Sequence, residues 1–208
     1  HMDYKDQLIA TGMLNDVGSS VRVNVPSSFR QGIEIQAGVE LQPRFRWDGN
    51  LTVSRNQINV FSEILYDYNP DFEYSNSVNH VNTDISFSPA FIAASVFGYD
   101  VWSNDEIQIK CELSTKYVGK QYLDNTSNDS RSLPGYVVND VVLSLSNSFK
   151  NGGDLKLSVF VNNILDNMYS ANGWTYSYLN GGLNAITTEN YVYPQAGRHG
   201  FVNLTMTF

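Results

Sequence analysis

Apolar and polar side chains alternate residue by residue over long parts of the chain. The last segment shows this most clearly, with four apolar residues separated by three polar ones: Val202, Asn203, Leu204, Thr205, Met206, Thr207 and Phe208. A period of two over this length predicts a β-strand with one apolar face and one polar face. Similar runs predict about eight strands, near residues 3–13, 21–42, 45–60, 81–98, 105–122, 135–149, 154–164 and 199–208. We therefore predict an all-β protein built as an antiparallel up-and-down meander.

Two classes of protein show this alternation. In a transmembrane barrel the apolar face contacts lipid and the polar face lines the interior, whereas in a soluble antiparallel sheet the apolar face packs on a core. A membrane wall leaves its apolar face without a core of its own, and a soluble sheet buries that face beneath a second layer. The two classes therefore predict opposite environments for Ile107, Ile109, Leu113, Leu155, Leu157 and Leu204.

The connections between the predicted strands differ in length. Residues 41–45, 99–105 and 150–154 are short and carry turn-forming residues, whereas residues 62–80, 124–134 and 166–198 are long, polar and rich in Asn, Ser, Tyr and Gly. Short turns at one end of a sheet and long loops at the other are typical of outer-membrane barrels, whose turns are periplasmic and whose loops are extracellular. The loop lengths thus favour the membrane wall.

Composition excludes several functions. The 208 residues carry 13 Lys and Arg against 21 Asp and Glu, a net charge of -8, so we expect no nucleic-acid partner. No apolar run approaches the roughly 18 residues of a membrane helix. Cys111 is the only cysteine, and His80 and His199 have no zinc-ligand spacing and no nucleophile motif nearby. We predict no catalytic residues, no metal site and no cofactor.

Several segments carry a family resemblance. Residues 161–169, the sequence Asn172-Gly173-Trp174, residues 191–198 and a final strand ending in Phe208 resemble, in this order, the C-terminal end of TonB-dependent outer-membrane receptors. Residues 2–8, 82–89 and 116–126 are similar to the form that these receptors take in Bacteroidetes. The resemblance covers essentially the whole chain.

The resemblance implies a fold and a function. In this family a plug domain fills a 22-stranded barrel, so residues 1–208 would be the C-terminal portion of the barrel, without the plug domain and the N-terminal strands. The implied function is uptake of a scarce ligand across the bacterial outer membrane, such as a ferric siderophore, haem or cobalamin, with energy from TonB. The implied partners are the TonB system, the plug, the lipid bilayer and the barrel assembly machinery, which would recognise Phe208 as a terminal aromatic. A glycan-importing receptor of the same family and a soluble β-sheet binding module remain alternatives.

Aromatic residues in two long loops are the candidate ligand contacts, because loops on a rigid scaffold carry recognition. They are Tyr66, Tyr68, Phe72, Tyr74, Trp174, Tyr176 and Tyr178. The alternative is that these rings pack loop on loop. A barrel segment also has two open edges, which are not tolerated in lipid and invite pairing in water. We therefore expect closure into a small eight-stranded barrel, edge pairing between copies, or burial of the apolar face between protomers.

Overall fold

Nine strands form one antiparallel sheet in the computed structural model, which describes residues 1–41, 44–68, 75–149, 152–180 and 186–208. The strands, in chain order, are β1 (Met2–Leu14), β2 (Ser20–Glu40), β3 (Phe45–Tyr66), β4 (Ser75–Asp84), β5 (Phe91–Ser103), β6 (Ile107–Val118), β7 (Gln121–Tyr122), β8 (Ser132–Leu133), β9 (Tyr136–Ser148), β10 (Asp154–Asn162), β11 (Ser170–Leu179), β12 (Ile186–Pro194) and β13 (His199–Thr207). The sheet order is β1-β2-β3-β5-β6-β9-β10-β13, and β4 pairs with the end of β3. The predicted all-β antiparallel meander is confirmed.

The sheet is open, because β1 and β13 lie at opposite ends of the strand order and do not pair with each other. On one side, the β1–β2 pairing begins at Met2 and Arg30, so residues 31–40 of β2 have no partner in β1. On the other side, β10 is the one described strand that pairs with β13. Of the three arrangements expected for the open edges, closure into an eight-stranded barrel is therefore wrong for this fold.

One predicted strand, 81–98, is interrupted. Asp84 pairs with Gln57 and Phe91 pairs with Val53, so six residues (85–90) lie opposite three residues of β3 (54–56). Such an insertion is an extended form of a β-bulge. The backbone rejoins β3 at both sides of it, since Ile85 N–H donates to Asn56 O at 3.0 Å and Ser54 N–H donates to Ala90 O at 2.8 Å.

All three segments predicted as long loops contain strand residues. Within 62–80, β3 continues to Tyr66 and β4 begins at Ser75. Within 124–134, the short strand β8 pairs with β7, and within 166–198, β11 and β12 form a separate two-stranded sheet. Because β4, β11 and β12 are rich in Asn, Ser and Thr, their side chains give little apolar alternation from which to recognise a strand. Within the described residues, no helix has the length and hydrophobicity needed to cross a membrane.

Within the described part of the chain, the apolar face of the sheet has no core of its own. Leu113 is 38% exposed and Leu204 is 59% exposed, and Ile107, Ile109, Leu155 and Leu157 are also at least partly exposed. Apolar side chains on this face lie opposite one another on neighbouring strands. Leu143 in β9, for example, lies opposite both Cys111 in β6 and Val159 in β10. The opposite face carries polar residues such as Glu34, Asp48, Glu112 and Lys156. This arrangement confirms the pattern expected for a membrane wall and contradicts the soluble sheet on a buried core.

Aromatic residues mark both borders of the apolar face. At one border the rings of Phe91 and Tyr117 lie 5.4 Å apart, and at the other Trp47 packs against Phe97 with Trp102 exposed beyond them. From Phe91 to Trp102 the strand is about 36 Å long, which at a tilt of about 40° spans about 28 Å. This is close to the apolar band of about 25 Å that outer-membrane barrels present between their aromatic girdles.

The sheet splits beyond the pair Ser28–Ile58, the last pair between β2 and β3. From there, β1 pairs with β2 and β3 pairs with β4 as two separate hairpins. The regular alternation of side chains between the two faces is interrupted at the same level. Ile58 and Phe61 are three residues apart on β3, which in a regular strand would place them on opposite faces, yet they belong to the same buried cluster. Asp6 (φ 51°) and Asn82 (φ 55°) adopt left-handed conformations at this level.

A small core lies between the two hairpins. It contains Ile9, Val25, Ile58, Phe61 and Ile85, with Val23 packed against it. Above the split the apolar side chains therefore turn to the side that is polar in the wall. We call this part of the molecule, together with the β6–β9 connection (residues 119–135) and the β11–β12 hairpin, the loop end, and the remaining sheet the wall.

Candidate functional site

Aromatic residues from the two predicted loops meet at the loop end. Tyr68 N–H donates to Leu179 O at 3.0 Å, which joins the end of β3 to β11. The Tyr68 hydroxyl forms a short hydrogen bond with the Tyr176 hydroxyl, and the Tyr68 ring lies edge-on to Tyr178 with centroids 5.4 Å apart. Tyr68 from one predicted loop therefore packs against Tyr176 and Tyr178 from the other.

The β11–β12 hairpin presents two different faces. Gly173, Thr175 and Leu179 are buried on one face, where a Cβ at Gly173 would lie 3.0 Å from the Leu123 side chain. Trp174, Tyr176 and Tyr178 alternate with them on the other face and are partly exposed. Trp174 stacks on Tyr191 of β12 with centroids 4.3 Å apart and the rings nearly parallel. Together these rings form a continuous aromatic ridge, which we define as Tyr68, Trp174, Tyr176, Tyr178 and Tyr191.

Two tyrosines of the ridge have pKa values above that of free tyrosine. Partial burial and the hydrogen bond with Tyr68 raise the pKa of Tyr176 above its ordinary value, and the hydrogen bond to Glu189 raises the pKa of Tyr191. Flat, neutral rings with hydroxyl groups suit planar or partly apolar ligands. Tyr66 is 51% exposed and lies beside this ridge at the edge of a cavity, whereas Phe72 and Tyr74 lie outside the described residues.

A buried ionic network lies beneath the hairpin. Arg131, 3% exposed, donates from Nη1 to Glu63 Oε1 at 2.5 Å and to Asp124 Oδ2 at 2.9 Å. His80 Nε2 lies 2.9 Å from the other Glu63 oxygen. Burial lowers the pKa of Arg131, but the hydrogen bond to Asp124 and the charge of Glu63 outweigh burial, so its pKa is raised overall and it stays charged. Sequence reasoning missed this network, because no local motif links residues so far apart.

Asn125 attaches the β6–β9 connection to the sheet. It is fully buried, its Nδ2 donates to Ala10 O at 2.6 Å, and its Oδ1 accepts from Ser86 N–H at 2.9 Å. A buried amide with both groups bonded fixes position, since leaving either group without a partner costs about 1–3 kcal/mol. The connection is thereby held against both β1 and the insertion between β4 and β5.

A cavity of about 260 Å³ lies between the split hairpins, the β6–β9 connection and β11. Val21, Val23 and Phe61 give it an apolar side, Thr175 and Ser177 of the hairpin contribute hydroxyl groups, and Glu63, Asp124 and Arg131 line it with charge. Among the described residues no group of three or more His, Cys, Asp or Glu side chains is arranged to hold a metal ion.

Phe208, the other residue singled out in the sequence, follows the end of β13 and is fully exposed. The structure does not test its expected role in barrel assembly.

Comparisons with known proteins agree with this architecture. The chain matches the crystal structure of the ferric yersiniabactin uptake receptor FyuA from Yersinia pestis with a TM-score of 0.58 and 20% identity over 95% of this chain and 26% of that one. It matches the closed form of the ferric-catecholate import receptor Fiu from E. coli K12 with a TM-score of 0.53 and 18% identity over 98% of this chain and 23% of that one. The chain thus spans about a quarter of the length of these receptors. A search of curated proteins gives no match.

The family itself is shown by sequence. Residues 1–164 match the family model described as TonB dependent receptor-like, beta-barrel. The comparisons do not support the narrower Bacteroidetes form. Members of this family are receptors of the bacterial outer membrane and not enzymes. With its open antiparallel wall and its long connections at one end, the chain belongs to the TonB-dependent receptor family as a segment of its β-barrel.

Proposed function

We propose that residues 1–208 form the C-terminal portion of a longer receptor barrel that takes up a metal chelate or related cofactor across the outer membrane with energy from TonB. The observation that carries this proposal is the wall: one face apolar and without a core, the other polar, in an open sheet that matches about a quarter of two ferric-siderophore receptors. The two open edges then pair with the other strands of the same barrel, and the polar face meets the plug domain.

The proposed cargo class is a ferric siderophore, with haem and cobalamin as related candidates. Both structural neighbours are named for ferric chelate uptake, and at under 25% identity they support the fold and only suggest the cargo. The aromatic ridge is the proposed ligand contact of this segment, because it is half-exposed, neutral and at the end that carries the long connections. Phe208 is proposed as the signal for barrel assembly.

The test uses the full receptor in a bacterial strain that lacks its own ferric siderophore receptors. Uptake of iron-55 is measured for a panel of ferric chelates, with haem and cobalamin in parallel. We expect uptake of one chelate class that requires TonB. The triple variant Trp174→Ala, Tyr176→Ala, Tyr178→Ala should raise KM for that chelate about tenfold, the effect of losing one to two stacking contacts.

The matched control is Tyr99→Ala, which removes an exposed tyrosine at the opposite border of the wall and should leave KM unchanged. If the receptor instead takes up labelled oligosaccharides and no chelate, the glycan-importing alternative replaces the proposed cargo. Equal uptake by the triple variant and the control would remove the ridge from ligand binding while leaving the transport proposal intact.

A further inference from the structure

The two parts of the chain that form the aromatic ridge carry no lysine or arginine. Residues 56–109 contain none, and neither do residues 157–197. Both parts contain acidic residues, and Glu189 is the only charged residue in the sequence of the β11–β12 hairpin. His80 is the only histidine in the two parts and lies 2.9 Å from an oxygen of Glu63. The permanent charges of the segments that build the ridge are therefore all negative.

Glu189 lies on the same face of the hairpin as the ridge. It is directly opposite Tyr176, and side chains directly opposite each other in an antiparallel pair share one face. Its Oε2 accepts a hydrogen bond from the Tyr191 hydroxyl at 2.6 Å, and both residues are exposed. Ring faces attract cations by their own charge distribution. The carboxylate and the rings therefore act in the same direction, in favour of positive charge and against negative charge.

The cations of the neighbouring elements do not offset this charge. In the β6–β9 connection, Arg131 is buried between two carboxylates, and Lys120 forms an ion pair at 2.6 Å. Arg22 in β2 alternates with Val23, which lines the cavity beneath the hairpin, so the Arg22 side chain leaves β2 on the side away from the hairpin. Lys5 in β1 lies at the level where the sheet splits, below the hairpin.

Ferric chelates differ in net charge, so the ridge can select among them. Hydroxamate groups carry one negative charge each, and the set of them that fills the coordination sphere of iron(III) gives a neutral complex. A free amine on such a chelator makes the complex positive at neutral pH. Catecholate groups carry a double negative charge each, and the corresponding complex is a trianion. Glu189 repels a trianion, and its charge acts over the few ångströms that separate contacting groups.

We propose that the chelate held at the aromatic ridge is a ferric hydroxamate without net negative charge, and that a free amine on the chelator strengthens its binding through Glu189 and the ring faces. This inference rests on the proposed uptake of a metal chelate and deepens it by naming the charge class of the cargo. It distinguishes this receptor from ferric-catecholate import, for which one of the two structural neighbours is named.

Three chelates test the proposal on the purified full receptor in detergent, with affinity measured by equilibrium dialysis of iron-55. Ferrioxamine B carries a free amine, N-acetyl ferrioxamine B is the same hydroxamate complex without that charge, and a ferric tris-catecholate is the trianion. We expect ferrioxamine B to bind about tenfold tighter than its acetylated form, from one surface ion pair and one cation–π contact. The trianion should bind at least about tenfold more weakly than the acetylated form.

Glu189→Gln separates a charge effect from a structural one, because glutamine still offers an oxygen to the Tyr191 hydroxyl. The preference for ferrioxamine B over its acetylated form should fall to about threefold, since the ring faces remain. The affinity for the acetylated form should not change. The matched control is Glu106→Gln, which removes an exposed carboxylate from the β5–β6 turn at the opposite end of the wall and should leave all affinities unchanged.

The proposal is overturned if the trianion binds as tightly as the hydroxamates, if neither hydroxamate binds, or if Glu189→Gln leaves the preference for the amine at its full value. The proposed function is read separately, by TonB-dependent uptake in cells. Uptake of a catecholate would overturn the charge class and keep the transport function, whereas no TonB-dependent uptake of any chelate or cofactor would overturn the transport function itself.

Discussion

The wall and the loop end use the same antiparallel strands in opposite ways. In the wall the apolar side chains face away from the chain, and Leu143 remains 47% exposed between its two strand neighbours. At the loop end the apolar side chains of Ile9, Val25 and Phe61 turn to the other side and are buried beneath connections of the same chain. One strand can thus present apolar side chains to lipid along one part of its length and to a buried core along another. This requires that the apolar side chains change from one face of the strand to the other once between the two parts.

The shift occurs at one level in four strands. Asp6 in β1 lies opposite Pro26 in β2, and Asn59 in β3 lies opposite Asn82 in β4, at positions where the regular pairing is interrupted. Because both partners are irregular at the same point, the register beyond it is retained. Polar or proline residues at these positions are tolerated because the local conformation no longer follows the pleat.

Of the variants proposed here, Arg131→Ala should produce the largest difference in stability between the loop end and the wall. It leaves Glu63 and Asp124 buried without their cation, a change that typically costs about 3–5 kcal/mol. Hydrogen exchange on the detergent-solubilised receptor should accelerate in residues 119–135 and in β11–β12, with β9 and β10 unchanged. Arg46→Ala, the control, removes an arginine from an exposed ion pair with Asp48 and should change neither region. Equal acceleration in β9 and β10 would show that the loop end is not an independent unit.

Leu143→Arg and Val81→Arg place the same charge on the exposed side of the two regions. Leu143 lies in the middle of the apolar band, where an arginine costs about 2–4 kcal/mol in a membrane barrel. Val81 is 65% exposed beyond the level of the shift, where we expect water and a cost near zero. The folding equilibrium in lipid vesicles, measured by denaturant titration, gives both values. A similar cost at the two positions would contradict the proposed membrane border.

The sequence predicted the wall better than the loop end. Period-two alternation located the wall strands, because one face there is continuously apolar. It missed the insertion at 85–90, since Ile85 and Phe87 continue an apolar pattern through a segment that leaves the ladder. Composition singled out Tyr68, Tyr176 and Tyr178 of the ridge as candidate ligand contacts, but it missed Tyr191, which joins the ridge only through its pairing with Trp174. Arg131 was not predicted, because its partner Glu63 is 68 positions away and only the folded connection brings the two together.

Asn82→Val tests with a smaller effect whether backbone conformation sets the shift between the two regions. Asn82 has φ 55°, a left-handed conformation that asparagine tolerates and that costs a β-branched residue about 1–2 kcal/mol. We expect faster proteolysis at the loop end of Asn82→Val, whereas Asn82→Gly, which adopts this conformation without strain, should match the parent. Equal stability of the Asn82→Val and Asn82→Gly variants would contradict this role of the backbone. The burial of Ile58 and Phe61 on one side of β3 would then be maintained by the packing of the β6–β9 connection and not by the conformation of β4. The wall strands should be unaffected in both variants, because β4 pairs with β3 beyond the wall and with no other described strand.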